Sequence, residues 1–107
     1  MIVSTTETIA GKQIVRTLGL VRGNSVRGRH IGKDLIAHLR NAVGGEINEY
    51  TKMLAESREQ ALDRMLDEAR DLGANAIISV RFSTTTAMPG ASEVLVYGTA
   101  VLAEDLP

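Results

Sequence analysis

The sequence predicts an α+β fold, a two-layer α/β sandwich in which one long helix packs on an antiparallel sheet. Three observations predict it: a helical stripe of apolar side chains within 46–72, two apolar strand candidates after it at 76–83 and 93–102, and one before it at 13–22. A chain of 107 residues suits one domain, and we expect residues 1–107 to form a single one. The order strand, helix, strand, strand places the helix over one face of the sheet.

The helix is the clearest element, because side chains that are apolar or small recur along it at spacings of three and four residues. This stripe comprises Tyr50, Leu54, Ser57, Ala61, Met65, Ala69 and Leu72. Gly73 follows it directly and can adopt the positive φ that ends a helix. A second, shorter helix is expected over 34–43, where Asp34 can act as the N-cap and Gly44 and Gly45 as the stop.

The rest of the chain divides into strand candidates, a loop and a turn. The Met1–Gly11 segment begins with the apolar pair Ile2-Val3, which suits an edge strand, and the glycine-rich stretch 23–32 suggests a loop. The segment 84–92 contains Met-Pro-Gly and suggests a turn. In strand 76–83, strict alternation predicts one face formed by Ala76, Ile78, Val80 and Phe82.

The last strand is apolar on both faces, which predicts self-association. Val94, Val96, Ala100 and Leu102 form one stripe of this strand, and Leu95, Tyr97 and Val101 form the other. A single helix covers one stripe, so a neighbouring copy of the chain is expected to cover the second, with Leu95, Tyr97 and Val101 at the interface. The alternative is that the short helix and the N-terminal segment cover it.

The composition excludes several classes of protein. The formal net charge of −1 argues against a general nucleic-acid binder, and three aromatic residues cannot supply many stacking platforms. The chain has no cysteine, so thiolate metal sites and disulfides are excluded. No apolar run approaches a membrane span and no secretory signal is visible, so we expect no membrane span and a cytoplasmic location.

A metal site would have to use histidine and carboxylate ligands. His30, Asp34 and His38 are the candidates, because Asp34 and His38 are four residues apart and share a helical face. A closed site usually needs about four ligands, and Asp34 is also the expected N-cap. No residues are spaced as a catalytic triad or a carboxylate dyad, so the chain is not expected to be an enzyme.

Charge is segregated along the sequence. The stretch 22–40 holds five Arg or Lys, and 46–71 holds eight acids and four Arg or Lys. The basic stretch is either solvated surface, a partner for the acidic helix of a neighbouring copy, or an anion site. The candidate contacts to an anion or small ligand are Arg27, Arg29, Glu46 and Tyr50. Tyr50 alternatively begins the core stripe of the helix.

Four segments together resemble the YbjQ-like family, which is of uncharacterised function and carries a heavy-metal-binding label. They are Gly19-Leu20-Val21-Arg22-Gly23, Gly44-Gly45-Glu46 with Tyr50-Thr51, Ala69 with Gly73-Ala74-Asn75-Ala76-Ile77, and Tyr97-Gly98-Thr99-Ala100-Val101. The resemblance implies a β-α-β-β unit like the dodecin subunit and a ring-shaped homopentamer. The absence of cysteine does not match the soft-metal sites that such a label suggests.

The function expected from these observations is a non-enzymatic, self-assembling cytoplasmic domain that forms a ring of identical chains and binds a small molecule or an ion. The alternative is a protein that binds a divalent or heavy metal through histidine and carboxylate ligands. The cofactor is unknown on either interpretation, with a divalent metal ion as the candidate.

Overall fold

The computed structural model describes residues 1–27, 45–88 and 91–107, with the backbone alone for 45–50 and 87–88. These residues form four strands and one helix, which confirms the predicted α+β fold. In chain order the elements are β1 (Ile2–Val3), β2 (Lys12–Arg27), α1 (Gly45–Asp71), β3 (Ala76–Met88) and β4 (Ala91–Asp105). The predicted short helix at 34–43 lies outside the described residues.

The four strands form one mixed sheet in the order β1-β3-β4-β2. β4 pairs antiparallel with both β2 and β3. β1 pairs parallel with the start of β3, through Ile2 with Ala76 and Val3 with Ile77, so the prediction of an antiparallel sheet holds for β2, β4 and β3 but is wrong for β1. The predicted N-terminal edge strand is therefore confirmed, and β2 forms the opposite edge of the sheet.

Helix α1 packs on one face of the sheet, over β2 and β4. The predicted stripe is confirmed at its centre, because Ala61, Met65 and Ala69 are fully buried. They pack with aliphatic side chains of the sheet: Val21, Ile77, Val80, Val94, Val96 and Ala100. Burial of each large aliphatic side chain contributes about 1.5–3 kcal/mol, so this layer is the main source of stability.

The helix ends as the sequence predicts. Gly73 has a φ of 82°, and its N–H donates to the Arg70 carbonyl at 2.9 Å. The Ala74 N–H donates to the Ala69 carbonyl at 3.0 Å. These two bonds are a Schellman motif, which satisfies carbonyls that the helix itself leaves unpaired.

The strands are longer than expected. Residues 23–27 of the predicted glycine-rich loop continue β2, and the predicted turn at 84–92 is largely strand, so β3 and β4 form a long hairpin. Position 23 of β2 requires glycine, because helix α1 crosses directly above it. A Cβ there would meet the Ala61 carbonyl oxygen at 2.0 Å. Glycine in a strand often marks such a close approach of another backbone.

The predicted faces of β3 are wrong, because a β-bulge at Ser79 reverses the alternation. Ser79 has a φ of 55°, and the register shifts between Ile78 and Arg81. As a result Val80 packs in the core beneath α1, whereas Ile78 packs on the opposite face. An extra residue in one strand changes the face of every side chain that follows it.

The face opposite α1 is covered at one end by the N-terminal segment. Ile9 packs there with Ile14 and Ile78 around the buried residues Ala76 and Val101. Residues 4–6 hold this segment against β3, because backbone bonds join Ser4 to Ile77 and Val80, and Thr6 to Ser79.

Candidate functional site

The sheet face opposite α1 is called here the outer face. The register places Arg22 of β2, Tyr97 of β4 and Arg81 of β3 side by side across it. Three further rows of paired residues flank this one: Leu20, Thr99 and Ile78; Asn24, Leu95 and Ser83; and Val26, Glu93 and Thr85. Directly opposite residues of an antiparallel pair share a face, so these side chains form one continuous surface.

Large apolar side chains of the outer face are exposed to solvent. Leu20 is 63 % exposed, Val26 60 % and Tyr97 40 %, and Leu95 between them is half-buried. Single exposed apolar residues are ordinary on a protein surface, but these occupy adjacent rows of one sheet. Such a patch is typical of a surface that contacts another molecule.

The three residues predicted at an interface between copies differ in their exposure to solvent. Leu95 and Tyr97 lie at the surface of the outer face, as expected. Val101 is on the same face but is fully buried, because the N-terminal segment covers it with Ile9. The prediction that Val101 needs a neighbouring chain for its burial is therefore wrong.

The charges of the outer face are mainly basic around Tyr97. Arg22 is exposed, and within the described residues it forms no ion pair. Arg81 donates from Nη1 to the carbonyls of Thr5 and Val80, both at 2.8 Å, so its charge has no carboxylate partner among the described residues. The half-buried acid Glu93 lies farther along the face.

A second polar region surrounds Arg27, one of the predicted ligand contacts. Its Nη1 donates to Glu56 at 3.0 Å and its Nε to Gln60 Oε1 at 3.4 Å. The Gln60 oxygen also accepts a bond of 2.7 Å from the buried Ser25 hydroxyl. Arg27 is thus held by its own chain, and an incoming anion would have to compete with Glu56.

The remaining candidate ligand contacts are Arg29, Glu46 and Tyr50. Arg29 lies outside the described residues, and so do the side chains of Glu46 and Tyr50, although their backbone is in α1. The open cleft beside Arg27 contains both signs of charge, with Lys52 and Arg58 near Glu59 and Asp63. This mixture does not define an anion site.

The three candidate metal ligands, His30, Asp34 and His38, lie outside the described residues. Within the part of the chain that is described, no three histidine or carboxylate side chains come together as metal ligands would. No helix there combines the length and the apolarity that crossing a lipid bilayer requires.

Sequence reasoning missed most of the outer face. Leu20, Arg22, Asn24 and Val26 alternate along β2 and share that face, but the glycine-rich stretch from Gly23 was interpreted as a loop. The period-two pattern across Gly23 was the signal that could have found them. Arg81 was missed as well, because its pairing with Tyr97 depends on the bulge at Ser79.

These features define a class of protein: a small two-layer α+β domain with a partly apolar outer sheet face. The family model described as "Putative heavy-metal-binding" matches residues 1–104. The chain belongs to this family, the YbjQ-like family suggested by its sequence segments.

Close relatives occur in bacteria and archaea. A UPF0145 protein of Dehalococcoides mccartyi is 59 % identical over 104 residues, which cover 97 % of this chain and 100 % of the relative. A UPF0145 protein of Thermus thermophilus is 55 % identical, with coverage of 97 % and 91 %. One from Methanosarcina acetivorans is 54 % identical, with coverage of 94 % and 95 %. These names assign no function.

A solved structure supports the fold. The crystal structure of a protein of unknown function of the DUF74 family from Pediococcus pentosaceus superposes with a TM-score of 0.67. The superposition covers 97 % of this chain and 98 % of that one at 20 % sequence identity. At this identity the similarity establishes the shared architecture.

Proposed function

We propose that this chain is a non-enzymatic cytoplasmic subunit that assembles with copies of itself into a closed ring, and that the ring binds a small molecule or an ion. The observation that supports assembly is the outer face, where Leu20, Tyr97 and Val26 are exposed within four successive rows. Burying each such side chain against a neighbour stabilises by about 1.5–3 kcal/mol, which offsets part of the entropy cost of association. The expected number of five subunits comes from the family resemblance.

Two substitutions on the outer face test self-assembly. Leu20→Asp and Leu95→Asp place a carboxylate where a neighbour would bury an apolar side chain, so both are expected to dissociate the assembly. Leu20 is the cleaner position, because its exposure means that the fold of one chain does not depend on it. Light scattering coupled to size-exclusion chromatography measures the mass, and circular dichroism checks the fold.

Leu106→Asp is the matched control. Leu106 is also an exposed leucine, but it follows the end of β4 and lies outside the outer face. Its substitution should leave the mass of the assembly unchanged. A wild-type monomer at micromolar concentration would refute the proposal. A wild-type assembly with an even number of subunits would refute only the five-fold count.

Metal binding is the second candidate function, and the description of the family supports it. Calorimetric titration with zinc, copper(II) and nickel separates the two candidates when it is repeated on a variant with both His30→Ala and His38→Ala. Stoichiometric binding that the double substitution abolishes would favour a metal-binding role. Absence of binding by the wild-type chain would contradict it.

A further inference from the structure

We infer that, in the self-assembly proposed above, the outer face of one copy packs on the acidic flank of helix α1 of the next copy. This inference rests on the proposed function, because it requires copies of the chain to associate. The acidic flank is defined by five residues of α1: Ala55, Glu59, Leu62, Asp63 and Leu66.

The spacing of the acidic flank places its members on one side of the helix. Intervals of three and four residues from Ala55 to Leu66 correspond to successive turns of one helical face. Glu59 and Asp63 are exposed, whereas Ala55, Leu62 and Leu66 are half-buried and leave part of their apolar surface accessible. The flank therefore combines apolar contact area with the two negative charges of Glu59 and Asp63, and the basic residues Lys52 and Arg58, which precede them in the helix, line the same cleft.

Among the described residues, the charges on both surfaces have no ion-pair partner. The ion pairs among the described residues are Lys12 with Asp105, Arg27 with Glu56, and Arg70 with Asp67. None of them uses Arg22 or Arg81 of the outer face, or Glu59 or Asp63 of the acidic flank. Within the part of the chain that is described, the two surfaces thus carry charges of opposite sign that form no ion pair, beside apolar side chains, which is the complementarity that selects a partner surface.

Charge also argues against the other way of covering the outer face with a second copy. If two outer faces packed on each other, Arg22 and Arg81 of both copies would share one interface, and like charges placed together in an interface cost several kcal/mol. Packing the outer face on the acidic flank joins two different surfaces. In a row of copies joined by such a head-to-tail contact, the outer face is free at one end and the acidic flank at the other. These two ends can bind each other, so the row can close into a ring.

Charge reversal in the 107-residue chain tests the assignment. Arg22→Glu on the outer face and, separately, Glu59→Arg or Asp63→Arg on the acidic flank should each raise the dissociation constant of the assembly about tenfold or more. Combining Arg22→Glu with one of the two flank substitutions should restore assembly, because the pair has opposite charges again. Arg81 is left unchanged, since it holds the N-terminal segment through Thr5.

Two matched controls change the same charge elsewhere. Arg16→Glu alters an exposed residue of β2 that pairs with Leu102 on the face that α1 covers, and Glu68→Arg alters an exposed acid on the opposite side of α1 from the acidic flank. Both should keep the wild-type dissociation constant, measured by light scattering over a dilution series at fixed salt concentration. Circular dichroism of every variant confirms that it is folded.

The outcomes separate this inference from the proposed function. If the wild-type chain is monomeric, self-assembly itself is refuted. If the wild type assembles but Arg22→Glu leaves the dissociation constant unchanged, only the assignment of the two surfaces is refuted. Weakened single variants that neither combined variant rescues would also overturn the pairing of Arg22 with the acidic flank.

Discussion

Gly23 is the residue at which the two layers of the molecule come closest. A Cβ at this position would meet the Ala61 carbonyl oxygen at 2.0 Å and the Met65 backbone nitrogen at 2.6 Å. We expect Gly23→Ala to lower the free energy of unfolding by about 1–3 kcal/mol or more, because the helix must move to admit a methyl group. Gly98→Ala should cost less, since two of its nearest atoms belong to the side chains of Ile77 and Val80.

Urea unfolding at one fixed protein concentration measures both variants, because association contributes to the apparent stability of an assembling chain. Adding Ala61→Gly should not rescue Gly23→Ala, since the clashing atoms of α1 are backbone atoms. Equal stability of Gly23→Ala and the wild type would contradict the close approach of α1 to β2.

A second prediction at the residue scale concerns pH. Lys12 Nζ lies 2.6 Å from Asp105 Oδ1, and this hydrogen bond and the lysine charge lower the pKa of Asp105. Because the pKa is lower in the folded state, the pair stabilises the fold above the ordinary aspartate pKa, and this contribution is lost as pH falls through the folded value. Asp105→Asn should therefore be less stable than the wild type at pH 7, and the difference should shrink at an acid pH well below the ordinary aspartate pKa.

Urea unfolding at the two pH values checks this prediction, and added salt should shrink the difference at pH 7, since both groups are accessible to solvent. Glu104→Gln is the matched control, because it removes an adjacent exposed carboxylate that has no ion pair among the described residues. A stability difference for Asp105→Asn that persists at acid pH would contradict the role of the ion pair.

At the scale of the element, the bulge in β3 decides which side chains enter the core. Ser79 has a φ of 55°, and its N–H donates to the Thr6 carbonyl at 2.9 Å. A β-branched side chain is strongly disfavoured in this left-handed region, so Ser79→Val should lower the free energy of unfolding by about 1–2 kcal/mol. Ser79→Gly should be tolerated, since glycine adopts this φ without strain.

Urea unfolding of the two Ser79 variants, with Thr84→Val as the control, measures this difference. Thr84 is an exposed position of the same strand that pairs regularly with Val94 and lies outside the outer face, so valine is acceptable there. Equal stability of Ser79→Val and Ser79→Gly would mean that this backbone conformation is not required.

The helix and strand β3 differ in how well the sequence predicts them. Helix α1 was predicted within one residue at each end, because its apolar period and Gly73 are local signals. The faces of β3 were not predicted correctly, because the bulge at Ser79 involves a hydrogen bond to the distant residue Thr6. Of the candidate site, the alternation in β4 places Leu95 and Tyr97 correctly on the face opposite α1, whereas the cover over Val101 comes from Ile9, far away in sequence.

At the scale of the whole molecule, the inferred head-to-tail contact predicts how two variants combine. In Arg22→Glu, residue 22 of the outer face and the acidic flank are both negative. In Asp63→Arg, residue 22 of the outer face and residue 63 of the flank are both positive. Neither variant is expected to assemble well alone, because like charges meet at residues 22 and 63. When the two variants alternate, each contact joins residues 22 and 63 of opposite charge. An equimolar mixture should therefore form assemblies in which the two variants alternate.

Strict alternation requires equal numbers of the two variants, so the mixed assemblies should contain even numbers of subunits even if the wild-type ring contains five. A closed ring with an odd number would need one junction between copies of the same variant, where like charges meet and weaken it. Native mass spectrometry distinguishes the variants by mass and counts each. Assemblies of random composition, or a mixture that remains monomeric, would contradict the alternating contact.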